Sequence, residues 1–294
     1  MNDSVNQGND DVLNEAPKRS RRGRTLGVSL VGVCLVVAIT GTAFALSSSG
    51  PSSAGAAVVV RRALHTTLAT NSLAFTLSES VSASGTTVAV NGNGECDLSS
   101  ALCGMTMDYS GVLSSAGTIR VVYSGGTVYL NLGSALSGLL PTPWISLPVS
   151  NSNSASLGIS ASPLAGLSLL ASDGATVTND GSVTENGQSM TQYTVTVDAS
   201  QVQHLVTSNA GNLPSWMNAA ASKFSSGTVV ETVDIDAAGR LGYFGANVNE
   251  TVAGTSVGVN IDETVTGYGV PVTVSVPSAS QVTSITSLSQ LSSL

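Results

Sequence analysis

Residues 118–132 read TIRVVYSGGTVYLNL, and this stretch decides the fold. Gly125 and Gly126 suit a two-residue hairpin turn, where the primed turn types need positive φ and glycine adopts it freely. Folding the chain back at that turn sets Tyr123 opposite Val128, Val121 opposite Leu130 and Ile119 opposite Leu132. These six side chains make one apolar face. Arg120, Val122, Tyr129 and Asn131 make the other. A slip of one residue would invert every side chain, so the pattern specifies the register.

The same period of two extends in both directions. Upstream, Leu73, Phe75 and Leu77 share a face, and short strands follow at 86–90 and 105–109. Downstream, strands are expected at 175–179 and 192–197, the latter with Tyr193, Val195 and Val197 on one side. Residues 228–235 alternate, and Asp236 to Gly239 turn the chain into Arg240 and Leu241. A second long hairpin joins 248–252 to 257–265 around Gly254 and Thr255, with Val252 facing Val257 and Val248 facing Ile261. Pro271 and Pro277 flank a last expected strand, 272–276. The Ser-rich tail beyond it offers Val282, Ile285 and Leu288 for docking.

Helical spacing is confined to a few segments. Residues 56–70 carry a stripe of Val60, Leu64 and Leu68. Residues 157–171 are apolar, although Gly158, Pro163 and Gly166 weaken a helix there. Asp198 can cap a helix over 199–207, and Pro214 suits the first turn of one over 214–224, which aligns Trp216, Ala220 and Phe224. Between the halves, Pro141, Pro143 and Pro148 interrupt regular structure around Trp144. Roughly ten strands in antiparallel hairpins with segregated helices make an α+β domain.

Charge places that domain outside the cytoplasm. Residues 26–46 carry no charge and are long enough, at ~1.5 Å per residue, to reach across the ~30 Å hydrocarbon layer. Lys18, Arg19, Arg21, Arg22 and Arg24 lie just before them, and no cation follows until Arg61. The positive-inside rule then keeps the N-terminus inside and sends the C-terminus out. The expected organisation is a disordered cytoplasmic tail over 1–25, a transmembrane signal anchor or signal peptide over 26–46, a linker over 47–55 and an exported domain over 56–294. Cleavage after Ala45 in the A-x-A pattern of Ala43 and Ala45 would instead release the domain. Cys34 follows Val33, where a lipobox wants Gly, Ala or Ser.

Composition removes whole classes of function. The 294 residues have a formal net charge of −8, 10% charged residues and 4% aromatics. So few cations cannot neutralise a run of phosphates, which argues against nucleic acid as a partner. No G-x-S-x-G, exported Ser-x-x-Lys, P-loop or G-x-G-x-x-G unit occurs, and His65 and His204 have no third ligand beside them. We expect no enzyme, cofactor or metal. Cys96 and Cys103, with six residues between them, lie beyond the apolar segment, and in an oxidising exterior the expected outcome is a disulfide.

The order of these elements, with YSGGTVYLNLG, PWISL, TVVETVDIDAAGRLGYF and the ending YGVPVTVSVPSASQV, resembles the actinobacterial LppX/LprG lipoproteins and, more distantly, the LolA/LolB carriers. The resemblance covers residues 56–288. It implies a curved antiparallel sheet, a half-barrel wrapped around a few helices, enclosing an apolar cavity for acyl chains. The implied role is binding or transport of a lipid or other hydrophobic ligand in the cell envelope; a non-enzymatic interaction module on the outer membrane face is the alternative. Candidate cavity residues are Ile119, Val121, Tyr123, Val128, Leu130, Leu132, Tyr193, Val248 and Val259, with Glu250 placed to touch a head group.

Overall fold

A computed structural model describes residues 54–83, 85–111, 114, 117–133, 140–148, 175–198, 228–252, 255–286 and 290. The expected cytoplasmic tail, apolar segment and linker lie almost wholly outside these residues, as do the helices at 157–171, 199–207 and 214–224. No helix among the described residues is long and apolar enough to cross a membrane.

One sheet of twelve strands organises the described chain. Its first six strands are β1 (Ser72–Ala83), β2 (Thr86–Asp97), β3 (Leu102–Gly111), β4 (Thr118–Ser124), β5 (Thr127–Asn131) and β6 (Trp144–Pro148). They form a meander of sequential antiparallel neighbours. A second meander comprises β7 (Thr176–Glu185), β8 (Gln188–Asp198), β9 (Thr228–Asp236), β10 (Leu241–Val252) and β11 (Thr255–Tyr268). The two meanders join where β1 pairs with β11, so the first and last long strands meet at the centre. The short strand β12 (Val282–Ser284) adds to β6 in parallel at one edge.

Turn chemistry explains the hairpins. Gly125 and Gly126 have φ of 54° and 77°, and Tyr123 faces Val128 as the sequence requires. Asn186 and Gly187, with φ of 50° and 78°, make the equivalent turn between β7 and β8. Asp236 Oδ1 accepts the amides of Ala238 and Arg240 and so closes the turn into β10.

Four expectations need correction. The strands of the described residues number twelve, not roughly ten, because Trp144–Pro148, where prolines were expected to interrupt regular structure, form β6, and the tail contributes β12. The β10–β11 pairing is shifted by two residues: Val252 faces Thr255 and Val248 faces Val259. A two-residue shift preserves which face each side chain takes. Residues 272–276 form no ladder and instead cross the sheet as an extended strap. Finally, the helix, here α1 (Ala54–Leu68), buries Val60, Ala63 and Thr67, while Leu68 is exposed. Small side chains on that face let the helix approach the sheet closely.

The face that α1 covers, the inner face, carries two apolar clusters. One joins Met107, Ile119, Val121, Val128, Leu130 and Ile145. The other joins Val60 and Ala63 of the helix to Leu73, Val195, Val233 and Leu241. Cys96 and Cys103 face each other across β2 and β3, 4.1 Å apart at Cα, and form the expected disulfide within the second cluster. Ile285 just beyond β12 is buried in the first cluster, so the tail docks through this residue.

Thr67 ties the helix to the sheet. Its hydroxyl donates to Ala63 O and accepts from Leu241 N, both at 2.8 Å, in a position 1% exposed. Thr67→Val keeps the shape but leaves the Leu241 amide without its acceptor. The expected loss is about 1–3 kcal/mol by urea unfolding.

Candidate functional site

Cross-strand pairing shows what the inner face presents. Residues directly opposite each other share a face. Successive pairings therefore trace one row across the sheet: Val195 on β8, Glu231 on β9, Ala246 on β10, Ile261 on β11, Glu79 on β1 and Val90 on β2. The adjoining row holds Tyr193, Val233, Phe244, Glu263 and Leu77. Three glutamates thus stand on an otherwise apolar surface, spread over strands β9, β11 and β1.

Their surroundings are unfavourable to charge. Glu79 is 3% exposed, and neither carboxyl oxygen has a hydrogen-bond partner. Glu231 is 2% exposed, with Oε2 unpartnered. Desolvation pushes both carboxyls up to about 8. Glu263 keeps some exposed surface as a residue, yet its carboxyl sits deep enough that desolvation raises it to about 7. Burial disfavours the charged form, and nothing nearby opposes that effect. Among the described residues the ion pair is Arg240 with Asp236, at 2.7 Å, away from all three.

Coverage of the inner face is uneven: β1 and β2 are buried along it, with Leu73, Phe75, Leu77 and Val90 at most 6% exposed, whereas β11 beside them is less tightly covered. Ile119, Leu130 and Ile145 on one side and Val195 and Val233 on the other are all at most 2% exposed. On β11, Val259, Ile261 and Val265 are only half-buried, as are Met105 on β3 and Tyr123 on β4. An apolar ligand side can be built from these half-buried positions, with the glutamates beside it.

The residues singled out from sequence fall into three groups. Ile119, Val121, Val128, Leu130 and Leu132 lie fully packed in the first cluster. Tyr193 is buried in the second, with Asn179 Nδ2 donating to its hydroxyl at 3.5 Å. Tyr123 on β4 and Val259 on β11 are half-buried. Val248 and Glu250 take inner-face register positions on β10, but their side chains are outside the described residues. Glu79, Glu231 and Glu263 were missed. The signal was present: each is an acid in phase with the apolar residues of its own strand, as in Leu73, Phe75, Leu77, Glu79.

The outer face is different in kind. Side chains there form polar ladders, with Asn260 donating to Asp262 at 2.6 Å and Asn247 to Asn260 at 3.2 Å. The strap crosses this face. Thr273 donates its amide and hydroxyl to Glu95 Oε1, and Val274 rests where Gly104 lacks a side chain. An open pocket of about 410 Å³ lies beside it, lined by Thr76, Asn93, Thr106, Arg120 and Trp144 among others. Of the residues singled out from sequence, it touches Val121.

No family model and no curated protein matches this chain. Solved structures do. The chain is similar to mycobacterial lipoproteins. LprF from Mycobacterium bovis aligns at 14% identity with a TM-score of 0.46, over 78% of this chain and 100% of that one. LppX from Mycobacterium tuberculosis aligns at 14% identity and 0.42, over 76% and 100%. A putative outer membrane lipoprotein-sorting protein domain from Vibrio parahaemolyticus follows at 10% identity and 0.26, over 74% and 92%.

Proposed function

We infer that the exported domain binds a lipid or other hydrophobic ligand on the inner face of its sheet, held at the outer side of the membrane by residues 26–46. The observation that carries this reading is the run of half-buried apolar side chains on β11, Val259, Ile261 and Val265, beside the two packed clusters of the same face. Apolar side chains left partly open inside a covered face are what a hydrophobic ligand would complete. The sheet curves into a half-barrel on this reading, with the ligand between the sheet and the elements that cover it. Tyr123 and Val259 then line the ligand side, and Val248 and Glu250 take inner-face register positions on β10. Cell-envelope lipoproteins among the similar structures are in keeping with this role.

The test uses the full chain purified in maltoside micelles. Organic extraction and mass spectrometry are expected to recover a co-purified lipid in stoichiometric amount, and an uncharged pyrene-labelled acyl chain is expected to bind saturably. A chain that yields no lipid and leaves the probe unbound would instead be an interaction module with a filled core.

A further inference from the structure

We propose that the inner face selects an amphiphile with an amine head, seated between the carboxyls of Glu79 and Glu263. This inference rests on the ligand-binding reading above and specifies the chemistry of its polar end.

Glu79 pairs with Ile261, and Glu263 lies two residues further along β11. The two are therefore diagonal neighbours on adjacent strands, with Cα atoms about 7–8 Å apart. That spacing lets one ammonium group lie between two carboxyls. Buried polar groups in folded proteins nearly always have partners. Both oxygens of Glu79 lack one, in a side chain 3% exposed and turned toward the apolar inner face.

The missing partner must donate hydrogen bonds, and a positive charge suits it best. An anionic head would meet two carboxyls there. A metal ion is not favoured, because no group of three ligating side chains converges among the described residues. Glu231 lies three strands from Glu79, about 14 Å at ~4.8 Å per strand, too far to share one ion. An ammonium brings up to three N–H donors and the opposite charge together. The half-buried Ile261 and Val265 lie beside the two glutamates and offer the apolar wall for the chain attached to that head.

The other titratable groups of this face do not supply a counter-charge. They are Tyr109, Tyr123 and Tyr193, with Glu250 at a register position on β10, and none is a cationic residue type. On α1, the cations Arg61 and Arg62 and the imidazole of His65 lie off the buried face of Val60, Ala63 and Thr67. When the amine binds at neutral pH, a carboxyl proton passes to solvent and an ion pair replaces the neutral acid.

The experiment displaces the bound pyrene acyl probe from the full chain in micelles with dodecylamine or dodecanol, at pH 6 and pH 9. The amine keeps its charge across this range, since alkylamines titrate near ~10.4. At pH 9 the amine is expected to displace the probe at an about tenfold lower concentration than the alcohol, and the advantage is expected to shrink at pH 6, where the carboxyls hold their protons. In Glu79→Gln/Glu263→Gln the advantage should vanish while the probe still binds. Comparing wild type with variant in the same micelles cancels partitioning of the competitors. Equal displacement by amine and alcohol in the wild type, or an advantage that survives in the variant, overturns the proposal. A probe that never binds overturns the functional reading instead.

Discussion

At pH 8 the ligand-free Glu79→Gln/Glu231→Gln variant is expected to be more stable than the wild type, by about 2–4 kcal/mol per site as an upper range. The sign follows from where each state holds its protons. In the unfolded chain these carboxyls release their protons near the ordinary value of 4.5, whereas in the folded chain they hold them up to about 8. Between those values the folded state binds more protons. Stability from these groups is therefore complete below about 4.5 and is lost as pH rises toward 8. Glutamine has the same shape and cannot ionise, so it removes the loss. Urea unfolding at pH 4.5 and pH 8 measures it: wild type and variant should agree at the lower pH and separate at the higher one. Parallel behaviour at both would mean that the carboxyls are solvated. On the proposed ligand-binding reading, acids that weaken the fold in this way are the usual exchange of stability for function.

Leu130→Ala is expected to cost about 2–5 kcal/mol, whereas Ile261→Ala should cost clearly less while weakening acyl-probe binding. The difference lies in what surrounds each residue. Leu130 is 1% exposed and packed in the first cluster, so its removal leaves a cavity. Ile261 is half-buried on β11, so truncating it removes less buried surface. Urea unfolding and probe titration on both variants test this. A Leu130→Ala variant that stays stable and loses probe binding would move the ligand side from β11 to the first cluster.

How far the site was legible depends on the residue. The apolar face of the β4–β5 hairpin was readable because its turn carries two glycines and its partners are five to nine residues apart in sequence. Glu250 drew attention as an acid in phase with valines, and the same rule applied to Glu79, Glu231 and Glu263 would have found them. Glu79 escaped because the strand was expected to end at Leu77, whereas β1 continues to Ala83. Strand length is set by the partner strand, and β11 lies far along the chain. The helix stripe was misjudged for a similar reason: size alone favours Leu68 over Thr67, but the Leu241 amide needs an acceptor, and that need is invisible until the sheet is in place.

Local pattern alone determined the antiparallel hairpins, the α+β class, the facing cysteines and the alternation that segregates an apolar face from a polar one. These depend on neighbours within a few residues and on turn chemistry. Tertiary pairing decided that β1 meets β11, that the tail returns as β12 beside β6, and that three glutamates from distant segments share one buried surface. Such juxtapositions come from long-range ladders, whose partners no periodicity within a strand can name.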